Sequence, residues 1–235
     1  GKLFVVDLVA LATAKELKVL NSSGAPTTIA APYTSVDALA SLDSNTFISD
    51  IISVDYDLNY NADALYFGTV MSGTSGWEGK LRRVVVKTNP TPTDWIEDSD
   101  SILMDLSYFA LASSVGNGQP ITAAPSIALD ADGNRWVYFG TGRFFTRADA
   151  GNSDQQSYYG VKEPGNPNWT WGSVTRAGLL DVSDAVIFED GNDVVIPSDP
   201  LVENWDQLQT AMNSKSGWLI DFPDSKERNL GQATL

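Results

Sequence analysis

Histidine and cysteine are both absent from this chain of 235 residues. The first absence removes the usual general base, the commonest zinc ligand and every serine or cysteine triad that depends on imidazole. The second removes thiolate catalysis, disulfides and iron–sulfur ligation. It leaves the compartment open, since exported bacterial proteins and cytosolic proteins can both do without cysteine. Basic residues are scarce as well: 15 Lys plus Arg stand against 30 Asp plus Glu, a formal charge of -15. That balance repels nucleic acid and anionic membrane surfaces and makes cations the natural small partners. No apolar run reaches the roughly 18 to 20 residues that cross a bilayer, and no basic start leads into an apolar stretch as in a signal peptide. The chain opens on Gly1, directly in the strand-like "GKLFVVDL", and is read as a piece of a longer protein whose targeting signal lies elsewhere. Its chemistry must rest mainly on carboxylates.

What is present points to an all-β fold. Hydrophobic residues make up 43% of the chain and aromatics 10%, enough for a sizeable core in one large domain. Segments rich in β-branched and aromatic residues, bounded by Gly, Pro, Asn or Asp, recur at 1–8, 50–57, 63–70, 80–87, 125–130, 135–142, 157–163, 184–190 and 217–222. One helix is expected within "DPLVENWDQLQTAMNSKSG" (199–217), where Leu201, Trp205, Leu208 and Met212 fall at helical spacing behind Pro200, with Gly217 beyond the last turn. The tetrapeptide YFGT ends at Thr69 and again at Thr141, 72 residues apart, and "GKL" recurs at 1–3 and 79–81. A repeating unit of strand, acidic turn, strand and glycine turn is how four-stranded propeller blades appear in sequence, because one blade cannot bury its faces alone. The spacing exceeds that of compact blades, so insertions are expected at "SSGAPTTIAAPYTS", "KTNPTPTD" and "RADAGNSDQ". The expectation is about three blades, with residues 1–235 forming part of a single β-propeller domain. The alternative is a chance YFGT in a β-sandwich.

Asp55, Asp57, Asn59, Asn61 and Asp63 occupy every second position of "VDYDLNYNAD". In an extended strand they would share one face, where three carboxylates repel each other and Asn and Asp are disfavoured. Coiled into a loop, the same residues can converge on a hard cation, as in calcium loops that take oxygen ligands from positions 1, 3, 5, 7 and 9. On that reading Asp55, Asp57 and Asn59 are side-chain ligands, Asn61 offers its carbonyl and Asp63 closes the shell; Ca2+ suits the set better than Mg2+. The loop is not an EF-hand, since Tyr60 stands at position 6, where Gly makes the sharp turn, and Tyr66 at position 12, where a Glu would chelate. "LDADGNRW" (129–136) offers only Asp130, Asp132 and Asn134 and reads as a tight hairpin turn with Gly133 and Asn134 at positive φ.

Three segments together resemble the C-terminal propeller domain of the PilY-type proteins, tip-associated adhesins and assembly factors of bacterial type IV pili. They are "GQPITAAPSIALDADGNRWVYFGTGRFF" (118–145) with "DQQSYYGVKEP" (154–164), the acidic loop, and "GWLIDFPDSKER" (217–228). The chain departs from that pattern at "VMSGTSGWEGKLRRV" after the first YFGT, which leaves the outer strands of the first blade open. The resemblance implies a calcium-binding propeller that supports pilus assembly, extension versus retraction and surface attachment. It further implies an exported bacterial protein at the cell surface, pilus tip, outer membrane or periplasm, with no membrane insertion of its own and no catalysis. Other pilus components such as minor pilins are the implied partners, with host or abiotic surface ligands as further candidates. Two competing readings remain at this point. One is a carbohydrate- or surface-binding module using Trp169 and Trp171; the other is an enzyme, either a quinone-dependent dehydrogenase-like propeller or a carboxylate-only glycosidase. Arg143, Gly68, Gly140, Gly142, Gln155 and Ser157 read as structural.

Overall fold

Two antiparallel meanders, each built on a strand carrying the YFGT tetrapeptide, organise the chain. The computed structural model describes residues 2–3, 5–6, 18–20, 26–28, 40–41, 46–73, 76–85, 102–106, 118–164, 173–188, 193–197, 199 and 201–234. Short strands come first: β1 (Lys2–Leu3), β2 (Val5–Val6), β3 (Lys18–Leu20), β4 (Pro26–Thr28) and β5 (Ala40–Ser41). They form the sheets β1-β5 and β2-β3-β4. The first meander consists of β6 (Thr46–Ile48), β7 (Ile52–Val54), β8 (Ala64–Gly73), β9 (Gly76–Glu78), β10 (Lys80–Val85) and β11 (Ile102–Asp105). The long β8 carries β6 and β7 along one edge and β9 and β10 along the other, with β11 outside β10. The open question over "VMSGTSGWEGKLRRV" is thereby answered: it is a hairpin that prolongs β8 and returns as β9 and β10.

The second meander follows the same plan. It consists of β12 (Ser126–Leu129), β13 (Arg135–Gly140), β14 (Ser157–Lys162) and, after an insertion, β18 (Gly217–Asp221). The insertion holds β15 (Leu180–Asp181), which joins β18 in parallel, the hairpin β16 (Val186–Ile187) and β17 (Val194–Val195), and the helix α1 (Trp205–Ser214). The expected strand at 184–190 is thus confined to Val186–Ile187 among the described residues.

Alternation along the strands places two faces in different surroundings. Val137, Phe139, Tyr159, Val161 and Leu219 of the second meander share a buried cluster with Ala64, Tyr66, Leu81, Leu103 and Met104 of the first. Each such side chain contributes roughly 1.5–3 kcal/mol by leaving water, which makes this cluster the main bond between the sheets. The opposite face carries an aromatic stack, with Trp136 on Tyr138 at 6.1 Å and Tyr158 on Trp218 at 6.2 Å between ring centroids.

The two YFGT copies are geometric equivalents. Thr69 Oγ1 accepts from Lys80 N and donates to Lys80 O, and Thr141 Oγ1 does the same with Ser157 N and O. Ile121 N then donates to Thr69 O at 3.0 Å, and Asn229 N to Thr141 O at 2.9 Å, so an exit segment crosses each copy at the same point. Glycine is required there: a Cβ on Gly68 would lie 2.2 Å from Ile121 Cγ2, and one on Gly140 would lie 2.3 Å from Asn229 Cβ. Gly68→Ala and Gly140→Ala are therefore each expected to destabilise the fold by about 1–3 kcal/mol, read as a lowered urea midpoint. Unequal effects, with one near zero, would contradict the equivalence of the two copies.

The helix begins later than the sequence spacing predicts. Asn204 is its N-cap, its side chain accepting from Gln207 N at 3.0 Å. Leu201 precedes the helix and is 81% exposed, while Gly217 opens β18 at φ +136. Pro200 lies outside the described residues. The carbonyl oxygen of the Asn204 carboxamide satisfies an orphan helix N–H, which a proline placed further upstream does not. Leu208 meets Leu180, Val194, Ile196 and Val202 in a small second cluster.

Candidate metal site

Strands β7 and β8 are joined by residues 55–63, which are coiled rather than extended. Asp63 N donates to Val54 O at 2.7 Å and closes the mouth of the loop. Inside it, backbone N–H groups donate to the side chains of Asp55, Asp63 and Asn59. Asn59 N and Tyr60 N donate to Asp55 at 3.1 and 2.6 Å, Tyr56 N donates to Asp63 at 2.5 Å, and Asn61 N donates to the Asn59 side-chain oxygen at 2.8 Å. Leu58 (φ 58) and Tyr60 (φ 70) make the reversals in the left-handed region. Tyr60 therefore supplies the turn at position 6 without glycine, a conformation that costs a β-carbon-bearing residue roughly 1–2 kcal/mol and that persists where surrounding bonds over-determine it.

The coil brings one carboxylate oxygen of Asp55, Asp57 and Asp63 within 4.8 Å of one another. Two oxygens on opposite sides of Ca2+ stand about 4.6–5.2 Å apart, and around Mg2+ at most about 4.2 Å. An all-oxygen donor set gathered within 4.8 Å fits the coordination shell of a hard cation such as Ca2+. Asp63 is buried, Asp55 half-buried and Asp57 exposed, so the cluster runs from the base of the loop to solvent. Asn59 and Asn61 lie in the same loop; the Asn59 side-chain oxygen accepts from Asn61 N and Nδ2, and its Nδ2 donates to Asp57 at 2.8 Å.

The equivalent turn between β12 and β13 is organised differently. Asp130 accepts from the N–H groups of Asp132 and Asn134, from Asn134 Nδ2 and from Trp136 Nε1. Burial would raise this carboxyl, but those hydrogen bonds outweigh it and hold it below the ordinary carboxylate range. Gly133 is at φ +79 as expected, whereas Asn134 is not among the positive-φ residues. The acidic turn at 130–134 is a hairpin turn whose carboxylate is spent on protein donors. Among the described residues, Asp55, Asp57 and Asp63 form the one acidic cluster with metal-ligand spacing.

The loop is fastened to the inter-sheet core through a residue that the spacing argument passes over. Tyr56 turns inward, its hydroxyl 2.5 Å from that of Tyr66, and the Arg135 guanidinium lies 3.7 Å from its ring centroid. Tyr66 donates to Glu163 Oε1 at 2.7 Å, and Arg83 Nη1 donates to the same oxygen at 2.6 Å with both charged side chains fully buried. Burial raises the Glu163 carboxyl above its ordinary value, opposed by Arg83 and Tyr66, and burial pushes the Tyr56 and Tyr66 hydroxyls well up. Arg83 and Tyr66 belong to the first meander, Arg135 and Glu163 to the second, so the loop base and the sheet–sheet contact share one polar network. Tyr66 at position 12 thus serves this network instead of chelation. Nothing local in the sequence marks these partners, which lie 80 and 97 residues apart.

Residues read as structural have structural roles. Arg143 is paired with Asp149 and lies 3.7 Å over the Trp77 ring. Gln155 Nε2 donates to Gln156 O and Phe222 O, both at 2.8 Å. Ser157 joins Asp221, Gln119 and Arg176, and Gly142 adopts φ +141. The expected insertion at 147–155 begins with a 3-10 turn at Arg147–Gly151. Trp169 and Trp171, and the insertion at 87–94, lie outside the described residues. No helix among the described residues is long and apolar enough to cross a membrane.

A family model described as the PilY1 beta-propeller domain matches residues 92–193. Two type IV pilus biogenesis factor PilY1 homologs of Xylella fastidiosa are similar, one 30% identical over 129 residues and the other 25% identical over 132. These stretches cover 53% and 56% of this chain but 9% and 8% of the relatives, so the chain spans under a tenth of their length. The crystal structure of the Pseudomonas aeruginosa PilY1 C-terminal domain superposes with a TM-score of 0.53 at 18% identity, over 94% of this chain and 48% of that one. That likeness concerns the fold, and it agrees with the two repeated meanders. In sequence the chain is similar to PilY1-type proteins, with residues 92–193 matching their β-propeller domain, and its sheets resemble part of the PilY1 C-terminal domain fold.

Proposed function

We propose that this region is a calcium-binding part of a type IV pilus biogenesis factor, and that it acts by binding and conformational ordering, without catalysis. In this reading it supports pilus assembly, the balance of extension against retraction, and surface attachment, at the cell surface or pilus tip. Other pilus components would be its partners. The observation that carries the calcium assignment is the convergence of Asp55, Asp57 and Asp63 in a loop coiled by its own N–H donors. Asn59 and the Asn61 carbonyl complete the proposed ligand set. When bound, the ion would neutralise three clustered negative charges. The chain's own contribution is to hold Asp63 at the buried base through Tyr56 N and to lock the Tyr56 ring between Arg135 and Tyr66. Loop order and sheet–sheet packing are then linked, and a partner that contacts only the ordered loop would respond to calcium.

Terbium luminescence tests occupancy of the loop, since Tyr60 and Tyr56 lie within it as sensitisers. Tyrosine-excited terbium emission displaced by calcium, and lost in Asp57→Ala, is the expected result. Emission unchanged in that variant would remove the site.

A further inference from the structure

Between Ala177 and Ser214 the chain has eight acidic residues and no Lys or Arg. This stretch is most of the insertion between β14 and β18, and it accounts for over half of the net negative charge. It also concentrates exposed apolar side chains. Val186 and Val195 are opposite each other in the β16–β17 ladder, and Phe188 shares their face by the alternation of an extended chain. They are 51%, 45% and 49% exposed respectively. Beside them lies an open groove of about 490 Å³, lined by Phe188, Val195, Ile196 and Val202, with Asp193 and Glu203 at its lip. Ile196 and Val202 are buried members of the second cluster and give the groove a fixed floor.

An apolar floor inside a rim of one charge sign selects among occupants. A nucleic acid or an anionic lipid surface would meet only like charge. A second copy of this chain would bring the same uncompensated negative charge to the contact. A polypeptide segment with an apolar side chain for the floor and cationic residues for the lip satisfies both features. We propose that this groove docks a polypeptide segment presenting one or two apolar side chains flanked by lysine or arginine.

Short fluorescein-labelled synthetic peptides test this on the whole chain by anisotropy, in the presence of chelator so that the result is independent of the metal loop. The expected result is binding of a Lys/Leu peptide, weakened at least about tenfold in the Lys/Ser and Glu/Leu analogues. Phe188→Ser and Val195→Asn should each weaken the Lys/Leu peptide by a similar factor, and Asp193→Asn with Glu203→Gln should flatten its salt dependence. Both apolar positions are half-exposed, so the variants should fold, which a melting curve checks. Equal affinity of the wild type and the two apolar variants would mean generic charge attraction and overturn the proposal, as would no binding of any peptide. Sedimentation that finds a wild-type dimer dispersed by Phe188→Ser would assign the groove to a second copy and overturn it too.

Discussion

Replacing Arg83 with methionine is expected to cost about 3–5 kcal/mol of unfolding free energy, a large fraction of the roughly 5–15 kcal/mol that holds a domain folded. Arg83 Nη1 and Glu163 Oε1 meet at 2.6 Å with both side chains fully buried, so loss of the cation leaves a carboxylate stranded away from water. The expense lies in the stranded charge rather than in the missing attraction. Arg83→Met combined with Glu163→Leu should therefore recover most of the loss, the residual being the hydrogen bond that Tyr66 no longer makes to Glu163. The pH dependence carries the same signature. Glu163 titrates above its ordinary value in the folded protein, so its ionisation disfavours the fold. Stability falls as pH rises from the ordinary carboxylate range through the raised value and is level above it. Arg83→Met should extend that fall to higher pH, making the variant's deficit smaller at about pH 5 than at about pH 8. Urea midpoints at the two pH values measure this, and a deficit below about 1 kcal/mol at both would show that the pair is not the joint between the sheets.

Calcium is expected to stabilise the chain by about 2.7 kcal/mol at one hundred times its dissociation constant. For a chain of this size that is a rise in melting temperature of roughly 5–10 °C. Choice of variant matters. Asp63 is buried and also accepts from Tyr56 N, so Asp63→Ala removes both a ligand and the internal anchor of the loop. Asp57 is exposed and its hydrogen bonds stay within the loop. Asp57→Ala should leave the calcium-free melting temperature nearly unchanged while abolishing most of the rise, whereas Asp63→Ala should lower both. Magnesium at equal concentration should give a smaller rise, because it gives up its water shell reluctantly and demands a near-octahedral set of ligands. A rise of the same size in Asp57→Ala would place the stabilising ion elsewhere.

Alternation of donor residues and the cost of three carboxylates on one strand face made the coil at 55–63 legible before any coordinates. The repeated YFGT made the equivalence of β8 and β13 legible, and Gly68 and Gly140 each admit a crossing segment that no side chain would allow. Helix boundaries were less legible: spacing alone extended α1 back to Leu201, when Asn204 with Gln207 three residues on was the better marker of its start. The network of Tyr56, Tyr66, Arg83 and Glu163 was illegible, since its members read singly as strand residues and meet only when two sheets pack. For the same reason the apolar groove was hidden, its lining coming from a hairpin and from the segment leading into α1.

Calorimetric titration of calcium into the wild-type chain and into Asp57→Ala bears most directly on the loop. A saturable heat corresponding to one ion per chain, absent from the variant although its fold is intact, is the result expected. Indistinguishable heats from the two proteins would contradict a cation held by Asp55, Asp57 and Asp63.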